Sequence, residues 1–195
     1  MPKTFKNFKI FKKTGFTLIE LLISIFIIVT LTSLFLANFR GQTRQRAVNS
    51  ATNNLISDLH KIQSFSLSSR DVTPGNPASQ YATTIANNGT SYSLLGYNNA
   101  VPPTATTVGT TLFPTGVIIN SIAITKADGT VVNPTSVTLG FKIPFGKVIV
   151  NYTGSATNEV NDVARIKLSS SDGVVCSYVV VNGITGNVTS LTPCP

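Results

Sequence analysis

An apolar run near the N-terminus, residues 16–39 (FTLIELLISIFIIVTLTSLFLANF), constrains this chain more than any other feature, and its only charged residue is Glu20. At about 1.5 Å of rise per residue, a helix of this length exceeds the roughly 30 Å hydrocarbon core of a bilayer, so the run predicts a membrane-spanning helix. Lys3, Lys6, Lys9, Lys12 and Lys13 precede it; Arg40, Arg44 and Arg46 follow. That bias places the N-terminus in the cytoplasm and the remainder of the chain across the membrane. A conventional secretory signal has a shorter apolar stretch, about 7 to 15 residues, ahead of an A-x-A-like site. Here the run is too long, and Leu36-Ala37-Asn38 offers no such site.

The net charge of +8 suggests an acidic partner until the charges are located. Without residues 1–15, ten basic side chains face seven acidic ones, a balance of +3. The apolar share of 42% suffices for one globular domain with its own core, while only 11% of residues are charged, as suits an extracytoplasmic β-rich domain. The two cysteines, Cys176 and Cys194, fall in that segment, where an oxidised pair is favoured over two free thiols.

No proline or glycine interrupts residues 42–73, so the apolar helix is expected to continue as an amphipathic half. Ala47, Ala51, Leu55, Leu59 and Ile62, with Val48 and Ile56 beside them, form one apolar stripe. Arg44, Arg46, Asp58 and Lys61 fall largely outside it, and His60, the sole histidine, reads as a surface or boundary residue. The Pro- and Gly-rich residues 71–79 are expected to break the helix and to form a loop that opens the globular part. Strand-like runs then follow at 80–86, 90–97, 117–125, 136–143, 146–152, 163–169, 174–181 and 187–191. Val137, Leu139, Phe141 and Ile143 alternate with Thr138, Gly140 and Lys142, the pattern of a half-buried strand. Residues 98–112, Thr-rich and without periodicity, are expected to form a surface loop. The predicted fold is α+β: one long N-terminal helix, membrane half plus amphipathic half, packed on an antiparallel β-sheet domain. Its parts are a leader (1–15), a membrane helix (16–39), an amphipathic continuation (40–70) and a globular domain (71–195).

The junction Lys12-Lys13-Thr14-Gly15-Phe16-Thr17-Leu18-Ile19-Glu20 resembles the processing site of type IV prepilins and type II secretion pseudopilins. The resemblance implies that a prepilin peptidase cuts between Gly15 and Phe16 and that Phe16 is N-methylated. It also implies that Glu20 neutralises the N-terminal amine of a neighbouring subunit during assembly. Physics points the same way, since a carboxylate within a membrane helix costs about 2.5–3.5 kcal/mol and calls for a partner. Asn53-Asn54-Leu55-Ile56-Ser57-Asp58-Leu59 on the helix and the Gly-punctuated strands are similar to the minor-pilin group containing GspH and FimT. The implied partners are prepilin peptidase, other pilin or pseudopilin subunits, an inner-membrane assembly platform and, before assembly, membrane lipid. The implied location is the bacterial inner membrane and then a periplasmic or extracellular filament. Unlike many major pilins, the chain has no helix-kinking proline in its apolar half.

No nucleophile elbow, H-E-x-x-H, P-loop or paired-cysteine metal signature occurs, so neither enzymatic activity nor a cofactor is expected. Asp128, Glu159, Asp162 and Asp172 lack calcium-loop spacing and read as turn residues beside Gly129 and Gly173. A structural filament subunit therefore ranks first, and a filament-tip adhesin or DNA-uptake receptor second, because Lys126, Lys142, Lys147, Arg165 and Lys167 are interspersed with acids. A disulfide between Cys176 and Cys194 requires the C-terminal hairpin to be centred near Thr185. A tight turn at Asn182-Gly183 would instead set Cys176 against Thr189.

Overall fold

A computed structural model of the chain describes residues 15, 17–100, 103–154 and 162–191, with backbone alone over 36–40. Most of the expected leader, together with Phe16, Glu159 and Cys194, lies outside the described residues. A helix, α1, spans Leu18–Leu67, and the strands that follow pair antiparallel, the α+β pilin-like order expected. The chain divides between Gly41 and Gln42 into two units, which are taken separately.

The first unit holds the opening of α1. Thr17 starts the helix: its Oγ1 accepts the Glu20 N–H at 3.4 Å and its carbonyl accepts the Leu21 N–H at 3.2 Å. The window Leu18–Phe35 has a mean hydropathy of 2.5 and is exposed throughout, and among the described residues it is the one helical window long and apolar enough to cross a bilayer. Its hydroxyls bond back to the helix itself. Ser24 donates to the Glu20 carbonyl at 2.7 Å, Thr30 to Phe26 at 3.0 Å, Thr32 to Ile28 at 2.6 Å and Ser33 to Thr30 at 2.8 Å. A hydroxyl left unpartnered in hydrocarbon costs several kcal/mol, so these bonds make Ser and Thr tolerable at membrane depth.

The second unit contains the rest of α1 and the strands. Val48, Ala51, Leu55, Leu59 and Ile62 are fully buried, with Ala47 and Ile56 partly so, and the expected stripe is thus the face that meets the core. Phe65 sits edge-on to Tyr81, ring centroids 5.6 Å apart. The helix ends in a Schellman turn, in which Arg70 N–H bonds the Phe65 carbonyl and Ser69 N–H that of Ser66. Ser69 occupies the left-handed region there (φ 48°), a position where glycine is the usual residue.

Beyond the helix, β1 (Asp71–Thr73), β2 (Asn76–Ala86), β3 (Ser91–Asn98), β4 (Ala105–Leu112), β7 (Ser136–Lys142) and β8 (Lys147–Tyr152) form one sheet. Its order is β4-β3-β2-β7-β8, with β1 paired to β2. The second sheet, in the order β11-β10-β9-β5-β6, takes β5 (Val117–Thr125), β6 (Val131–Val132), β9 (Val163–Ser170), β10 (Cys176–Asn182) and β11 (Val188–Leu191). Inward residues of both sheets, among them Tyr81, Ile85, Leu139, Phe141, Ile122, Ile166 and Val179, share one core with the helix stripe.

The eight expected strand runs all appear, and two expected loops are corrected. Within 98–112, residues 105–112 form β4 rather than a loop. Threonine and valine favour extended backbone, but β4 is an edge strand exposed along most of its length, so no alternating burial marks it in the sequence. Residues 71–79 hold β1 and the start of β2, joined at Pro74-Gly75, where Gly75 has φ 82°. Pro77 is accommodated because Asn76 and Pro77 pair only with β1, at the margin of the sheet.

Candidate processing and assembly site

Of the expected processing residues, Gly15 is exposed and stands two positions before the Thr17 cap, while Phe16 lies outside the described residues. A Cβ built on Gly15 meets nothing within 4 Å among the described residues. Crowding by the described residues therefore does not account for a glycine here.

Glu20 is exposed in the first helical turn, where a carboxylate interacts favourably with the helix dipole. Thr17-Leu18-Ile19-Glu20 has the T-x-x-E form of a capping box, with the Thr17 half of the reciprocal pair made. Thr17 is thus a residue of this site that attention to Gly15, Phe16 and Glu20 passed over, although its signal was present in the sequence. Among the described residues, the Glu20 carboxylate has no basic partner.

In the second unit, Asp58 proves to be more than a polar residue beside the stripe. It is half-buried, and its Oδ2 accepts the Tyr92 hydroxyl at 2.8 Å and the Thr111 hydroxyl at 2.9 Å, tying the helix to β3 and β4. Burial, and then the bond to Asp58, push the Tyr92 phenol well above its ordinary value. Arg44 forms an ion pair with Asp172 at 2.5 Å. The Asp172 carboxyl also accepts bonds from the Ser170 hydroxyl and the Val174 N–H, and these hold it below the usual carboxylate range. Asp128 is lowered likewise, chiefly by the Thr130 N–H at 2.8 Å. Both acids cap their own turns, and among the described residues no cluster of metal-ligating side chains occurs.

Four of the five distal cations fall into two pairs rather than one stripe, and Lys126 lies just beyond β5. Lys142 and Lys147 face each other across β7 and β8, whereas Arg165 and Lys167 project from β9 in the other sheet, with Lys167 Nζ 5.9 Å from the Tyr178 ring. The β10–β11 hairpin pairs Val181 with Val188, so it is centred between Ile184 and Thr185. Its wide loop is fixed by the Asn182 side chain, which accepts the Ile184 and Thr185 N–H groups at 2.9 and 3.0 Å. Val180, not Cys176, is the residue opposite Thr189, so the tight-turn register is not the one adopted. No free cysteine occurs among the described residues, and Cys194 lies outside them.

Comparison with known proteins gives one family: the prokaryotic N-terminal methylation motif matches residues 10–36. The chain carries this type IV prepilin-like signal across the junction and helix described above. No curated protein and no solved structure matches it.

Proposed function

We propose that this chain is a structural subunit, of minor type, in a type IV pilus or a type II secretion pseudopilus, and that it acts by assembly rather than by catalysis. The carrying observation is the methylation motif at 10–36, set on an exposed apolar helix whose hydroxyls are satisfied internally. Prepilin peptidase cuts between Gly15 and Phe16 and Phe16 is then methylated. A glycine that no described neighbour crowds supports recognition by an external partner. Glu20, without a basic partner among the described residues, accepts the terminal amine of a neighbouring subunit. The helix anchors the precursor in the inner membrane, N-terminus in the cytoplasm, until subunits and assembly platform draw it into the filament. Cys176 pairs with Cys194 to close the C-terminal hairpin, whose wide loop between Val181 and Val188 is of the kind that this pairing calls for.

Co-expression with a prepilin peptidase tests the reading. Intact mass should show loss of residues 1–15 and gain of one methyl group, Gly15→Leu should block both, and Glu20→Ala should be processed yet absent from filaments. A mature terminus beyond residue 36 would instead mean an ordinary secretory signal and would overturn the assignment. A tip-located binding module is the second reading, and Arg165, Lys167 and Tyr178 on one sheet face favour it. Salt-sensitive DNA retention that is lost in Arg165→Ala would raise it above the first.

A further inference from the structure

The free edge of the first sheet is a strand suited to pairing with itself. β4 ends the order β4-β3-β2-β7-β8, and no described strand lies beyond it. It is eight residues long, mostly exposed, and contains neither a charge nor a proline, the usual devices that blunt an edge. It is also held in place: Thr111 bonds Asp58, and the Thr104 N–H bonds Asn98 Oδ1 at 2.8 Å, securing the turn from β3. The sequence Ala105-Thr-Thr-Val-Gly-Thr-Thr-Leu112 reads nearly alike in both directions about the Val108–Gly109 bond. An antiparallel copy on that dyad sets Thr107 against Thr110, Thr106 against Thr111 and Ala105 against Leu112. Threonine pairs across strands are favourable, and no like charges meet. The bulge in the β3–β4 register leaves Val108 unpaired with β3. At the dyad its counterpart is Gly109, where an added Cβ would meet only Leu94 Cδ1, at 3.9 Å, so the bulged side chain has room.

We propose that β4 is a homotypic contact, an antiparallel β4–β4 pair between two copies of this chain related by a two-fold axis through the Val108–Gly109 dyad. Such an interface is isologous and closes as a pair. The axis crosses the sheet plane, so the Gln42–Leu67 part of α1, which Asp58 ties to β3 and β4 and Phe65 to β2, runs the opposite way in the second copy. On the proposed filament reading, which the contact itself does not require, the paired copies belong to two assemblies lying side by side.

Disulfide trapping in the full-length chain in detergent tests the register, using Thr107→Cys and Thr110→Cys; both positions are exposed. Opposed strand residues have Cα atoms about 4.5–5.5 Å apart, within disulfide reach. Mild oxidation of the two variants mixed should give a covalent dimer carrying a 107–110 link by peptide mass spectrometry. Either variant alone should stay monomeric, because its own thiols lie about 10 Å apart along the strands. The exposed pair Ala105→Cys and Leu112→Cys should behave in the same way. A mixture without the 107–110 link overturns the proposal, leaving β4 to an unlike partner or to none. A dimer from Thr107→Cys alone also overturns it, by showing a parallel or shifted register.

Discussion

Replacing Tyr92 with Phe removes one oxygen from a fully packed position and tests whether the Asp58 junction holds the helix to the sheet edge. Tyr92 is 1% exposed, and its ring lies 5.3 Å from that of Phe113, a contact that Phe would preserve. What is lost is the 2.8 Å bond to Asp58 Oδ2, leaving that oxygen with Thr111 alone. A hydrogen bond to a charged group contributes about 1.5–3 kcal/mol; because Asp58 is only half-buried and solvent screens it, the lower end, about 1.5 kcal/mol, is expected. For a chain of this size that corresponds to a fall of about 3–6 °C in Tm. Urea unfolding followed by circular dichroism, in a double-mutant cycle with Asp58→Ala, separates this bond from general packing. The cycle should return a coupling near the single-variant loss, and a coupling indistinguishable from zero would refute the junction. The pH dependence has a definite sign. Tyr92 is raised above 10.0 in the folded chain, so its contribution is intact below that pH and is lost as pH rises through the folded value. The Phe variant should therefore lose less stability than the parent in alkali.

Four further outcomes are expected. Ser69→Gly should raise stability by about 0.5–1 kcal/mol in the same assay, by relieving the left-handed strain at the helix end. Leu59→Ala should lower it by about 2–5 kcal/mol, the cost of a cavity at a fully buried position. Asp172 is lowered below 3.8 in the folded chain, so the deficit of Asp172→Asn should be full at neutral pH and shrink as pH falls through that value; a deficit constant down to pH 2 would contradict the bonding described. On the proposed pairing, Cys176→Ser should cost roughly 3 kcal/mol, and non-reducing peptide mapping should find 176 joined to 194 in the parent.

Features carried by a local period or a linear motif were legible in the sequence. The stripe Val48 to Ile62 and the strands around Leu139 and Ile166 each bury one face, which writes itself into residue spacing. The methylation motif at residues 10–36 is carried by contiguous residues and is legible without the fold. β4 left no such mark, because water reaches both its faces and no position is forced to be apolar. Asp58 likewise looked like one of several polar helix residues, since its partners Tyr92 and Thr111 stand 34 and 53 positions away. The division of the strands between two sheets depends on which distant runs pair, β2 with β7 and β5 with β9, and alternation within a run carries no information about its neighbour.

That division governs how late the second unit can become stable. The chain lays down β2, β3 and β4 in one sheet, leaves for β5 and β6, returns for β7 and β8, and leaves again for β9 to β11. A polypeptide emerging N-terminus first therefore holds β2 with an open flank until Ser136–Lys142 arrives, and β5 with little beyond the two-residue β6 until Val163–Ser170 arrives. Closures between distant segments are slow, and until they form the inward faces of Ile119, Ile122 and Ile124 remain uncovered. Folding is then a terminal, concerted event rather than a strand-by-strand accretion. A chain that stops before residue 163 should be lost to aggregation or proteolysis instead of surviving as a shortened domain.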